Sequence, residues 1–211
     1  MKGGAFYFRS EYDSALDYFD SSFSLYEAAG NLKAVSSKYG NMGNIYTDQG
    51  DYTKGIDSYM RSLKAHEKNG YRRGMATQLN NIGIVNKDLG DNKEAMRYLE
   101  EALVIHKELN YEIGQADCYL NMAEIHIREG NQDLAIPLLD QCAEIYKTIE
   151  DTQGKALMYN FYGLIDFKVK EYDKELANYS QALSLQREMG DDQYMANSMV
   201  EIGRVYMELG K

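Results

Sequence analysis

Glycine recurs along this chain every 40 residues. Gly3, Gly43, Gly83, Gly163 and Gly203 share one phase, and Gly50, Gly90, Gly130 and Gly210 a second. Gly30, Gly70 and Gly190 share a third, and Gly74, Gly114 and Gly154 a fourth. These four columns hold 15 of the 18 glycines. A fixed period of this length marks one small structural element copied end to end, each copy burying its apolar face on the next.

The period also sets the local structure. Asn81-Ile82-Gly83 lies in a helical run over roughly 74–88, which breaks at Leu89-Gly90-Asp91. Asp91 is a good N-cap for a second helix near 92–108, in which Ala95, Leu99, Ala102 and Leu103 draw an apolar stripe. Asp51 and Asn131 share the capping column. No stretch alternates with period two, and the chain has one proline. The pattern predicts helices throughout, in antiparallel pairs joined by short turns.

Small and large positions alternate through the columns. Gly43, Gly83, Ala123, Gly163 and Gly203 fall in mid-helix. Glycine there costs about 0.5–1 kcal/mol relative to alanine, so a close approach of the partner helix is expected. Ala15, Ala95 and Ala135 form a second small column, and Ser22, Ser62, Ala102, Cys142 and Ala182 a third. Tyr39, Leu79, Tyr119, Tyr159 and Met199 are the knobs of the first helices; Phe19, Tyr59, Leu99, Leu139 and Tyr179 those of the second. Such columns interdigitate as close-packed layers do.

In these columns the chain resembles the tetratricopeptide repeat family. Tyr39–Gly43–Tyr46 followed by Tyr59 and Ser62, and Leu79–Gly83 followed by Ala95–Leu99–Ala102, follow its pattern. The usual period is about 34 residues. The longer period here, with LNNIG at 79–83 and Pro137 within LAIPLL, is similar to the repeats of kinesin light chains and spindle-orientation scaffolds. The pattern lapses where Asn86, His126 and Asp166 replace the aromatic, and where Gly55 and Glu175 replace the alanine. HEAT and armadillo arrays have a comparable period, but the small–large columns argue against them. The resemblance implies an all-α fold, a right-handed superhelical solenoid of antiparallel helix pairs. On this reading 1–30 is a partial repeat, 31–70, 71–110, 111–150 and 151–190 are full repeats, and 191–211 is the first helix of another. Phe6, Tyr7, Phe8, Val205, Tyr206 and Met207 would leave both ends apolar. The expectation is a segment of a longer protein, or end-to-end self-association.

Charge narrows the partners. With a net charge of −10 and no basic stripe, nucleic acid is disfavoured. So is an anionic membrane surface, and no apolar run is long enough to span a bilayer. Two cysteines, Cys118 and Cys142, are too few for a disulfide scaffold, and a cytoplasmic setting fits. They stand 12 residues either side of Gly130 and are placed to face each other across one hairpin. They are either two small buried residues or a redox pair. His66 and His106 share a column with Tyr26, Tyr146 and Gln186, which reads as an amphipathic surface column rather than a metal site. His126 reads as a core residue. Neither a nucleophile–base constellation nor a phosphate-cradling loop is visible, so no enzyme activity and no cofactor are expected.

In the family the first helices line a concave face. Asn41, Asn81 and Asn121 recur there, with Asn80 and Asn160 one residue earlier in the pattern. A side-chain amide donates and accepts, so it can hold an extended peptide backbone; by resemblance these asparagines are the binding positions, unless they bond within or between helices. A further column runs Asp48, Asp88, Arg128, Lys168, Glu208, with Arg204 one turn before its last member. If it faces the groove, an acidic segment would dock near Arg128, Lys168 and Arg204. The reading is a non-catalytic scaffold that binds protein or peptide segments. The alternatives are the sensing region of a bacterial signalling protein (a nucleotide cyclase, histidine kinase or transcription regulator), a self-assembling array, and a peptide-pheromone receptor, which would need further N-terminal helices.

Overall fold

The computed structural model describes residues 30–168, 171–190 and 192–210, with Lys168 and Gln193 described in backbone only. Gly3, Ala15, Phe19, Ser22 and the aromatic residues near the N-terminus lie outside the described residues. Among those described there are nine helices and no strand: α1 (Leu32–Asp48), α2 (Tyr52–Asn69), α3 (Arg72–Leu89), α4 (Asn92–Glu108), α5 (Glu112–Glu129), α6 (Gln132–Tyr146), α7 (Thr152–Lys168), α8 (Tyr172–Met189) and α9 (Asp192–Glu208). They fall into two compact units, Met1–Leu109 with α1–α4 and Asn110–Lys211 with α5–α9. In the first unit α1 packs on α2, α2 on α3 and α3 on α4; in the second α5 packs on α6, α7 on both, α8 on α7 and α9 on α8.

A glycine followed by a capping residue turns the chain between α1 and α2, between α3 and α4 and between α5 and α6. Gly90 adopts φ 81°, a left-handed conformation that a Cβ would strain. Its N–H then bonds the Lys87 carbonyl, and the N–H of Asp91 bonds that of Asn86, which satisfies two of the carbonyls left over at the end of α3. Asp91 in turn opens α4 by accepting from the Glu94 N–H at 3.2 Å. Gly50 and Asp51 repeat the device, with Asp51 accepting from the Lys54 N–H. Asn131 departs from expectation. It occupies the cap position of α6 but makes no side-chain cap bond, because its amide donates to Glu129 Oε2 at 3.3 Å instead.

The mid-helix glycines are contact points. A Cβ on Gly43 would lie 2.3 Å from the Tyr59 ring, one on Gly83 2.8 Å from Leu99 Cγ, and one on Gly163 2.8 Å from the Tyr179 ring. Tyr59, Leu99, Leu139 and Tyr179 are all buried, as are Ala95, Ala102, Ala123, Ala135 and Ala182. Ser62 and Cys142 each donate to a carbonyl of the preceding helix, Ser36 at 2.7 Å and Ala116 at 3.5 Å, so this small column also ties helix to helix. Gly203 breaks the rule: nothing lies within 4 Å of its would-be Cβ, since no helix follows α9 among the described residues. Met199 likewise is 56% exposed rather than a packed knob, beside Val200 and Met207 on the same helix.

This contrast is testable by denaturant unfolding. Gly43→Ala is expected to destabilise the chain by about 2 kcal/mol, because the buried Tyr59 ring must move. Gly203→Ala is expected to stabilise it by roughly 0.5–1 kcal/mol through helix propensity alone. Equal effects at the two sites would show that close approach is not what the column encodes.

Candidate functional site

The first unit holds a cleft of about 320 Å³ between α1 and α3, over the start of α2. Asn44, Thr47 and Asp48 come from α1, Asn81, Ile84, Val85 and Asp88 from α3, and Tyr52 and Tyr59 from α2. Helical spacing explains the set. On α1 the residues at 41, 44 and 48 share one face, and on α3 those at 81, 84, 85 and 88 do. Asn81 is therefore in the cleft, and exposed Asn41 continues the Asn44–Asp48 face one turn back. Asn80 is half-buried and is not part of the lining.

Tyr59 organises the floor. Its ring lies against Gly43, and its hydroxyl reaches past that gap to donate to Asn44 Oδ1 at 2.8 Å. Burial pushes the phenol above its usual range. With its oxygen engaged, the Asn44 amide still has its N–H donors to offer at the cleft it lines. Two exposed carboxylates, Asp48 and Asp88, stand at the mouth. The cleft thus combines aromatic and aliphatic walls, two amides and a negative rim. Asn44 was not singled out from the sequence because its column reads Asn44, Ile84, Glu124, Leu164, Arg204 and has no pattern.

In the second unit the expected positions whose side chains are described, Asn121, Asn160, Arg128 and Arg204, make contacts within the chain. Asn121 donates to the Asp117 carbonyl at 2.9 Å, within its own helix. Asn160 accepts from the buried Ser198 hydroxyl at 3.2 Å, between α7 and α9. Arg128 is half-exposed and pairs with Glu124. Lys168 ends α7, and its side chain lies outside the described residues. Arg204 pairs with Glu175 at 3.2 Å and Glu201 at 2.5 Å, with its guanidinium 3.5 Å from the Phe167 ring centroid. Glu175 is fully buried where α4 and α6 carry alanine, and Arg204 is its compensating charge. Burial raises the Glu175 pKa above the usual carboxylate range, and Arg204 offsets part of that rise.

The histidine column requires correction. His66 and His106 are 6% and 2% exposed, and Tyr146 and Gln186 in the same column are also buried. The column packs inward because the fourth glycine column makes room for it. A Cβ on Gly74 would lie 2.5 Å from His66, and one on Gly154 2.2 Å from the Tyr146 hydroxyl. Burial lowers the pKa of both histidines, which favours neutral imidazoles. His126 lies largely buried, 4.0 Å from Glu129. Among the described residues no group of three or more potential ligands gathers for a metal. Cys118 and Cys142 form no disulfide and are fully buried in α5 and α6, and burial pushes both thiols up to about 12.

Two measurements check these assignments. A thiol of that pKa is about one part in ten thousand thiolate at about pH 8. Both cysteines are therefore expected to resist a thiol reagent in the folded chain and to react together once it unfolds; rapid reaction, or a disulfide formed under mild oxidant, would defeat the inert reading. For Glu175 the folded pKa lies above the unfolded one, so the group favours folding at low pH and loses that contribution as pH rises through the folded pKa. Wild type is expected to lose stability relative to Glu175→Gln as pH rises from about 4 to about 7. A gap that stays constant would mean burial does not perturb this carboxyl.

Solved structures of similar shape place this architecture. BtubC from P. vanneervenii superposes with a TM-score of 0.78 at 17% identity, over 96% of this chain and 84% of that one. The apo form of the quorum sensor NprR from B. thuringiensis gives 0.76 at 15% identity, over 96% and 56%. The Rap conjugation gene regulator of plasmid pLS20, solved with the Phr* peptide, gives 0.75 at 16% identity, over 98% and 60%. The chain therefore spans little more than half the length of the last two, and at these identities the likeness is one of fold. No curated protein matches the chain in sequence. The pattern that defines the tetratricopeptide repeat matches residues 34–108 and again 76–148, more than half of the chain. With those matches and the packing of small on large columns, the chain belongs to the tetratricopeptide repeat family.

Proposed function

We propose that this chain is a non-catalytic scaffold that binds an extended peptide or protein segment, and that the α1/α3 cleft is where the segment's side chain is read. The cleft carries this reading: it pairs amides suited to a peptide backbone with two carboxylates suited to a lysine or arginine side chain. Asn81 and Asn44 hold the backbone, Asp48 and Asp88 select a basic residue, and Tyr59 and Ile84 wall the pocket. Asn41 extends the contact along α1. In the second unit Asn121, Asn160, Arg128, Lys168 and Arg204 are the corresponding positions. An acidic segment of the ligand would there compete with Glu124 for Arg128, and with Glu175 and Glu201 for Arg204.

Two neighbours favour a signalling context as the second reading. One is described as a quorum sensor, and the other was solved with a Phr* peptide. A sensing region or peptide-pheromone receptor would use the same cleft. The setting proposed is the cytoplasm; no helix among the described residues is long and apolar enough to cross a membrane. End-to-end association would use the exposed Met199, Val200 and Met207 of α9.

The test is binding to arrayed peptides that differ only by Lys, Gln or Glu at one position. Wild type is expected to prefer Lys, with affinity falling as salt is raised. The double change Asp48→Asn with Asp88→Asn is expected to erase that preference, and Asn81→Ala to weaken all peptides by roughly fivefold. Binding that ignores all three substitutions would place the site elsewhere.

A further inference from the structure

The first unit has a second hollow, on the other side of α3. At ~100° per residue, Met75 and Leu79 point about 150° away from the Asn81–Asp88 face. They floor a hollow of about 340 Å³ between α2 and α4, with Leu63 on one wall and Ile105 on the other. Val104, Glu67 and Glu101 form its rim. This lining is mainly aliphatic, unlike that of the α1/α3 cleft.

The repeat itself supplies the comparison that gives this hollow meaning. Leu79 stands where three of the other first helices carry Tyr39, Tyr119 and Tyr159 and the last carries Met199, and a leucine fills less of this position than the tyrosines do. Val104 stands where the other second helices carry Lys64, Glu144 and Ser184, and it is 55% exposed. Met60, one turn before Leu63 and Lys64 on α2, is also exposed, in a column otherwise made of Asp20, Glu100, Asp140 and Ser180. Glu67 stands where the later copies carry Lys107, Lys147 and Arg187, although Glu27 shares its type. Packing of the repeat calls for none of these changes, because the other copies fold without them. Leu79, Val104 and Glu67 all line this one hollow, which gives it an apolar lip and an acidic rim, and Met60 lies one turn before Leu63 on the same helix. Arg97 already holds Glu101 at 2.6 Å, so Glu67 is the carboxylate left to face a partner.

We infer that this hollow is a second docking site, which takes one large aliphatic or aromatic side chain from a partner protein segment that carries a lysine or arginine beside it. The apolar side chain fills the volume vacated at Leu79 and covers Val104, and the basic residue meets Glu67. The site lies on the opposite side of α3 from the α1/α3 cleft and does not depend on that cleft binding anything. It would let the chain hold two partners at once.

The experiment is selection of a random dodecapeptide display library on the whole chain and, separately, on Leu79→Tyr, which installs the residue that three other copies carry. Peptides recovered from wild type and missing from the variant are expected to share a large apolar residue next to Lys or Arg. One such peptide, synthesised, is expected to bind Leu79→Tyr roughly tenfold more weakly. It should bind Glu67→Lys severalfold more weakly and Asn81→Ala unchanged. Val104→Glu, at an exposed position where another copy carries Glu144, gives the same readout without touching the buried floor. The inference is overturned if both selections yield the same peptides, if none is enriched, or if binding is lost on Asn81→Ala and kept on Val104→Glu.

Discussion

The architecture depends on how closely the two helices of each pair approach. Where Gly43 meets Tyr59 and Gly163 meets Tyr179, a ring lies on bare helix backbone with no room for one more carbon. Close-packed interiors respond to a change of a single methylene, so this contact fixes the spacing of a pair rather than merely permitting it. It also positions chemistry. Tyr59 is there for packing, yet its hydroxyl emerges beside Asn44 and fixes that amide at the floor of the α1/α3 cleft. The equivalent knob in the next pair is Leu99, which has no hydroxyl, and the residue at Asn44's place above Tyr179 is Leu164. The same contact thus builds a polar pocket in one copy and only a packed layer in the others.

Much of the fold was legible because each position was written several times. The turns at Gly50-Asp51 and Gly90-Asp91, the helix limits and the small–large columns could be read by stacking copies, and stacking suppresses the accidents of any one copy. It fails where burial depends on a different column. His66 and His106 read as surface residues because their column mixes histidine, tyrosine and glutamine and so looks amphipathic. What buries His66 is Gly74, in the following helix. Gly203 and Met199 misled for the opposite reason: they carry the packing pattern, but no helix follows α9 among the described residues.

The candidate site was less legible. Asn81 could be picked out because asparagine recurs in its column; in the charged column the sequence pointed to Arg128 and Lys168 rather than to Asp48 and Asp88, which line the cleft. Asn44 and Tyr59 could not, since the cleft is made by residues of three helices whose columns vary independently. In the second unit, recurrence pointed to Asn121 and Asn160; the first bonds a carbonyl of its own helix and the second joins two helices. An amide repeated every 40 residues is thus ambiguous: the same chemistry that would hold a peptide backbone also caps a carbonyl or joins two helices.

Agreement among copies and disagreement among them therefore carry different information. Agreement specifies the stack, because every repeat must present the same face to its neighbours. A departure needs its own physical reason. Glu175 has one inside the fold: it takes an alanine position and is balanced by Arg204 from the next helix, which in turn stacks on Phe167. Leu79, Val104 and Met60 have none there. An enlarged hollow forfeits dispersion contacts, and exposed aliphatic surface gains nothing from water. Departures that weaken a copy, and that the fold does not compensate, are where a partner is expected to supply the missing contacts.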